Sequence, residues 1–150
     1  MEGNLRKIQA EKEKEGTVRR EILHRCFENL IKVFPPERIA LLEKETERFL
    51  NPLRSQLMDG LEGLLDGLLN GDRGLAERGL ALIMSLVAIE DVRPKEALSF
   101  ILKMRQMLPT KERDIEEILL SAFDIYMMFR EKIYELRVKE RLSLNGGRIR

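Results

Sequence analysis

The chain has 150 residues, enough for one compact domain that buries roughly 70% of its unfolded surface without help from a metal or disulfide. Charged side chains make up 35% of it and hydrophobic ones 43%, a balance that points to helices with solvated, ion-paired faces rather than to strands. With 27 basic and 26 acidic residues the net charge is +1, so no long-range field gathers nucleic acid or anionic lipid, and the single Cys26 excludes an intrachain disulfide.

No charged-then-apolar leader opens the sequence, and no run reaches the ~18 apolar residues that suggest a membrane span. The densest run, Gly79 to Ile89, stops at Glu90-Asp91. The reading is a cytoplasmic protein that neither inserts into a membrane nor binds nucleic acid. Residues 1–16 are charge-rich, with Leu5 and Ile8 as apolar anchors, and read as a flexible or loosely helical lead-in. Thr17 can cap a helix that places Leu23, Phe27, Leu30, Ile31 and Phe34 on one face, and Pro35-Pro36 stops it. A shorter helix is predicted over about Glu37 to Arg48, ending ahead of Asn51-Pro52.

Asn51 can accept a hydrogen bond from a free first-turn N–H, and Pro52 lacks the N–H that would otherwise be orphaned, so the pair marks a helix start. Leu53, Leu57, Leu61, Leu64, Leu65 and Leu68 then form an apolar stripe. Gly60, Gly63 and Gly67 share this helix; each costs up to ~1 kcal/mol against alanine, so three together suggest close approach by another helix. A loop is predicted at Asn70 to Gly74, followed by a helix from about Leu75 to Glu90 that is apolar on most sides and must be central or lie at an interface. Arg93-Pro94 opens the next helix, with Ala97, Leu98, Ile101, Leu102 and Leu108, and Pro109-Thr110 ends it.

From Thr110 one helix is predicted to Leu142, about 33 residues and ~50 Å, longer than a small domain is wide. Ile115, Leu119, Ala122, Tyr126, Phe129, Ile133 and Leu136 alternate four and three apart, a seam for a bundle or a homodimer. Asn145-Gly146-Gly147 lies in a segment, 143–150, read as a disordered tail, which leaves 17–142 as a single helical domain. The fold expected is all-α with about six helices.

Catalytic inventory is thin. Glu21 and His24 have the Glu-x-x-His spacing of a di-iron half-site, but with one histidine the chain offers no second copy, and a histidine on an amphipathic surface fits as well. Cys26 stands beside Phe27 without a partner for nucleophilic chemistry and reads as a small buried hydrophobe. Neither a Gly-rich phosphate loop nor a Ser-His-Asp set can be assembled, so no catalytic residue, metal or cofactor is assigned and an enzyme is not expected.

Phe49, Asn51 and Pro52 ahead of a leucine-rich helix, with Val87-Ala88-Ile89-Glu90-Asp91-Val92-Arg93-Pro94 and then Ala97-Leu98-Ser99-Phe100, make a two-part pattern. It resembles the Phe-x-Asn-Pro helix start and the diverged Arg-Ala-Val-Gln-Asp segment of the N-terminal sensor domain of the RsbT co-antagonist family of stressosome regulators. The likeness runs from about Val18 to Tyr134, and Ala122 to Val138 looks like the closing helix of stand-alone members common in sulfate-reducing bacteria. Val87 and Glu90 stand where the family usually has arginine and glutamine, Arg93 and Lys95 where it has small polar residues, and Cys26 where it has tryptophan.

The resemblance implies a globin-like, non-haem homodimer that passes a signal by protein contact, with Phe49, Asn51, Pro52, Asp91, Pro94, Ala97 and Phe100 as structural motif residues. Its partner would be an unidentified signalling or redox protein. A globin-like fold also raises haem with His24 or Met127 as ligand, but His24 lies on the first helix, where no globin carries its proximal histidine. The rival readings are a protein binding a haem-, flavin- or lipid-like molecule, and an accessory or assembly factor for a redox complex.

Overall fold

The computed structural model describes residues 2–44, 51–108 and 112–148. Six helices account for most of them: α1 (Glu2–Ile31), α2 (Pro36–Lys44), α3 (Pro52–Asn70), α4 (Arg73–Val87), α5 (Pro94–Arg105) and α6 (Glu112–Arg148). A 3-10 turn, Ala88–Glu90, follows α4, and no strand occurs among the described residues, so the protein is all-α. Phe49, the expected extension of the second helix to Arg48, and Pro109-Thr110 lie outside the described residues.

Two expectations at the chain ends are corrected. Thr17 caps nothing: α1 is continuous from Glu2, and the Thr17 hydroxyl donates to the Glu13 carbonyl one turn back at 2.9 Å. The charged segment Glu11-Lys12-Glu13-Lys14 consists of good helix formers, and extending an existing helix adds one hydrogen bond per residue fixed. By the same propagation α6 continues through Asn145-Gly146-Gly147 to Arg148, where a disordered tail from 143 is expected.

Five helices close a ring in the order α1, α3, α4, α6, α5, and back to α1, while α2 covers one end. Arg19 bonds Asp66 and Arg54 lies over the Phe27 ring, so α1 and α3 are antiparallel. Arg73 pairs with Glu117, and Arg130 reaches the Ala88 carbonyl, so α4 and α6 run the same way. Inside the ring Leu30, Leu57, Leu64, Leu80, Ile83, Phe100 and Tyr126 are fully buried, each apolar side chain contributing about 1.5–3 kcal/mol. The apolar α4 lies between α3 and α6, which is why polar residues are scarce on it.

The contact of α3 with α4 is made by glycines. A Cβ on Gly67 would stand 2.6 Å from the Ala76 Cβ, and one on Gly79 would stand 2.6 Å from the Leu64 backbone nitrogen. At Gly60 it would meet the Ile83 side chain at 2.7 Å, whereas at Gly63 the nearest atom, the Gly79 Cα, is at an ordinary 3.5 Å. Backbone against backbone is possible only without side chains on these faces.

Both long helices leave the ring, at opposite ends. Residues 3–14 of α1 are exposed beyond the α3–α4 turn. At the other end α6 runs on past Ile133 with Tyr134, Leu136, Leu142 and Leu144 each at least 62% exposed.

Candidate functional site

The helix start at Asn51-Pro52 is a junction with two neighbours. Asn51 Oδ1 accepts from the Arg54 N–H at 3.1 Å, while its Nδ2 donates to the Leu41 carbonyl at 3.0 Å. Arg54 donates to the Leu42 carbonyl at 2.5 Å and lies 4.5 Å from the Phe27 ring centroid. Two carbonyls of α2 thus accept from side chains at the start of α3.

The segment 88–94 forms an elbow between α4 and α5, clamped by α6. Asp91 ends the 3-10 turn in the left-handed region at φ 57°, a conformation aspartate tolerates better than most residues. Arg130 fixes it twice, donating to the Ala88 carbonyl at 2.7 Å and to Asp91 Oδ1 at 2.5 Å. The Tyr126 hydroxyl donates to the Val92 carbonyl. Burial pushes this phenol above its ordinary range; Arg130 opposes the shift, and Asp91 and Glu96 add to it. Glu90, largely buried, pairs with Arg38 of α2 at 3.3 Å. Pro94 then begins α5, and no side chain caps that start at Arg93. Ala97 and Phe100 point into the core and are fully buried.

The seven-residue stripe of α6 faces its own ring. Ile115, Ala122 and Tyr126 are buried, Leu119, Phe129 and Ile133 pack against the core, and Leu136 lies past it at 62% exposure. A second apolar stripe looks outward through the exposed Leu120, Phe123 and Tyr134, with Met127 between them half-buried against the core.

His24 is exposed and pairs with Glu28 at 3.0 Å, one turn along the same helix, and Glu21 is also exposed. No group of three or more potential metal-ligating side chains occurs among the described residues. Cys26 is buried at 1% exposure, and burial pushes its thiol up to about 11. Such a thiol is neutral and shielded, the opposite of an activated nucleophile. No helix is long and apolar enough to cross a membrane among the described residues.

A groove of about 470 Å³ opens between the end of α1 with the turn after it and the length of α5, lined by Asn29, Lys32, Val33, Arg93, Lys95, Glu96, Ser99 and Lys103. Composition hid it, because its cations come from sequence positions some 60 to 70 apart and the chain as a whole is nearly neutral. Gly79, Arg54 and Arg130 were also not singled out by the sequence. Gly79 had a signal, being a glycine inside an apolar helix like the three in α3. Arg130 sits one turn after Tyr126, but nothing in that spacing says which carbonyls the pair will reach.

No family model matches this chain, and no solved structure matches it. It is similar to an uncharacterized protein of Archaeoglobus fulgidus, 66% identical over 29 residues. That stretch is 19% of this chain and 19% of the archaeal protein.

Proposed function

We propose that the chain is a non-catalytic regulatory domain of the sensor type, acting by protein contact as a homodimer in which the α6 helices of two copies pair antiparallel. The observation that carries this reading is the outer face of α6. Leu120, Phe123, Met127, Tyr134, Val138 and Leu142 follow one another at spacings of three, four or seven, and of these Met127 also touches the core. Single exposed apolar residues are ordinary, but a helical stripe of them fits a partner helix.

Charge decides the orientation. Arg113 to Glu131 holds five carboxylates against two arginines, and Lys132 to Leu144 holds four cations against two glutamates. Antiparallel pairing lays the acidic half of one α6 on the basic half of the other, whereas parallel pairing sets like on like. The resemblance to the RsbT co-antagonist sensor domain supports the regulatory class and a globin-like description of the ring. For the rival of a carrier with an apolar ligand inside, the ring would have to open, since Tyr126, Phe100 and the leucines already fill it.

Sedimentation velocity tests the proposal. The chain should be a dimer at micromolar concentration, shift toward monomer as salt screens the paired halves, and become monomeric as the Phe123→Glu/Tyr134→Glu double variant. A chain that stays monomeric at every concentration sinks it.

A further inference from the structure

The groove between α1 and α5 concentrates positive charge that the rest of the molecule does not answer. Lys32, Arg93, Lys95 and Lys103 line it, all four are exposed, and none has an ion-pair partner among the described residues. Glu96 is the one carboxylate in the lining, which leaves the groove three positive charges in excess, in a chain whose total is +1. Four like charges held around one concavity repel one another, and a bound anion relieves that repulsion.

We propose that this groove binds a diphosphate group, carried by a nucleoside diphosphate or present as inorganic pyrophosphate. A phosphate monoester brings at most about two negative charges and leaves the lining unbalanced; a second phosphoryl group removes the imbalance. The volume of about 470 Å³ lies within the range of small-molecule sites, roughly 300–1,000 Å³, and exceeds what a single oxyanion needs. Lysine ammonium groups and the Arg93 guanidinium are the usual side-chain partners of phosphoryl oxygens, and α5 begins at the groove with no side chain capping its first turn. No aromatic side chain lines the groove, so recognition rests on the phosphoryl groups. This inference deepens the regulatory reading by naming a ligand class for the sensor.

Calorimetric titration of the intact chain near physiological ionic strength provides the test, with pyrophosphate, adenosine diphosphate and sulfate as titrants. Saturable binding of a diphosphate is expected, with sulfate at least about tenfold weaker. Adenosine diphosphate binding more tightly than pyrophosphate identifies a nucleotide as the source, and equal or weaker binding identifies the free anion. The Lys32→Glu/Lys103→Glu variant should lose about tenfold or more in affinity while keeping its helical circular dichroism. Lys12→Glu, on the projecting part of α1, should leave affinity unchanged. No saturable binding, sulfate as tight as pyrophosphate, or full affinity in a folded Lys32→Glu/Lys103→Glu variant overturns the proposal. Dimerisation is read separately by sedimentation, so either reading can fail while the other stands.

Discussion

Cys26 shows how one buried side chain ties the stability of the molecule to pH. Its thiol rises from 9.0 to about 11 because burial disfavours the thiolate. Below pH 9 the group is protonated in both the folded and the unfolded chain, so the stability it permits is fully present there. Between pH 9 and about 11 the unfolded chain ionises first, and roughly 2–3 kcal/mol should be lost across that window. Denaturant unfolding of the wild type and of Cys26→Ala at a series of alkaline pH values measures this. The variant should lose stability less steeply, whereas identical slopes would assign the loss to other groups. The burial of this residue was legible, since a cysteine beside Phe27 on an apolar face reads as core. The two-sided role of Asn51 was legible only in part: the cap follows from Asn-Pro, but its bond to the Leu41 carbonyl depends on where α2 ends.

Among the elements, the α3–α4 pair separates glycines that look alike in sequence. At Gly63 a methyl group has room, and removing a mid-helix glycine should leave stability unchanged or raise it by up to ~1 kcal/mol. At Gly67 and Gly79 the same methyl group would press on the backbone of the opposing helix, and alanine should cost about 1–3 kcal/mol or more. Urea midpoints of Gly63→Ala, Gly67→Ala and Gly79→Ala check the ordering. Equal effects at the three positions would mean that the helices can part without loss. Periodicity told that α3 carries glycines and that α4 is apolar on most sides. It could not tell which glycine meets which residue, because register between helices is set by packing rather than by either helix alone.

For the whole molecule, most helix boundaries could be read from punctuation: Pro35-Pro36, Asn51-Pro52, Asn70-Gly71 and Arg93-Pro94 each stand at one. The order of helices around the ring could not, since it rests on contacts between distant residues such as Arg19 with Asp66 and Arg130 with Asp91. The projecting end of α6 makes a further prediction. The described side chains of 137–144 pack little on the ring, so a chain ending at residue 136 should melt as a monomer within a few degrees of the full chain at high dilution. The same deletion should weaken dimerisation, because it takes away the basic half of the proposed helix pair. Loss of the fold on truncation would show that the projecting segment supports the ring.

The clamp at the elbow ties α6 to the segment that leads into α5 and the basic groove. Tyr126 holds the Val92 carbonyl, and the next residue, Arg93, is a wall of the basic groove. Tyr126 and Arg130 of α6 thus hold the short segment that leads into α5 and the groove. If the groove takes its proposed occupant and α6 its proposed partner, and this segment couples them, thermodynamic reciprocity requires each to alter the other's affinity by the same factor.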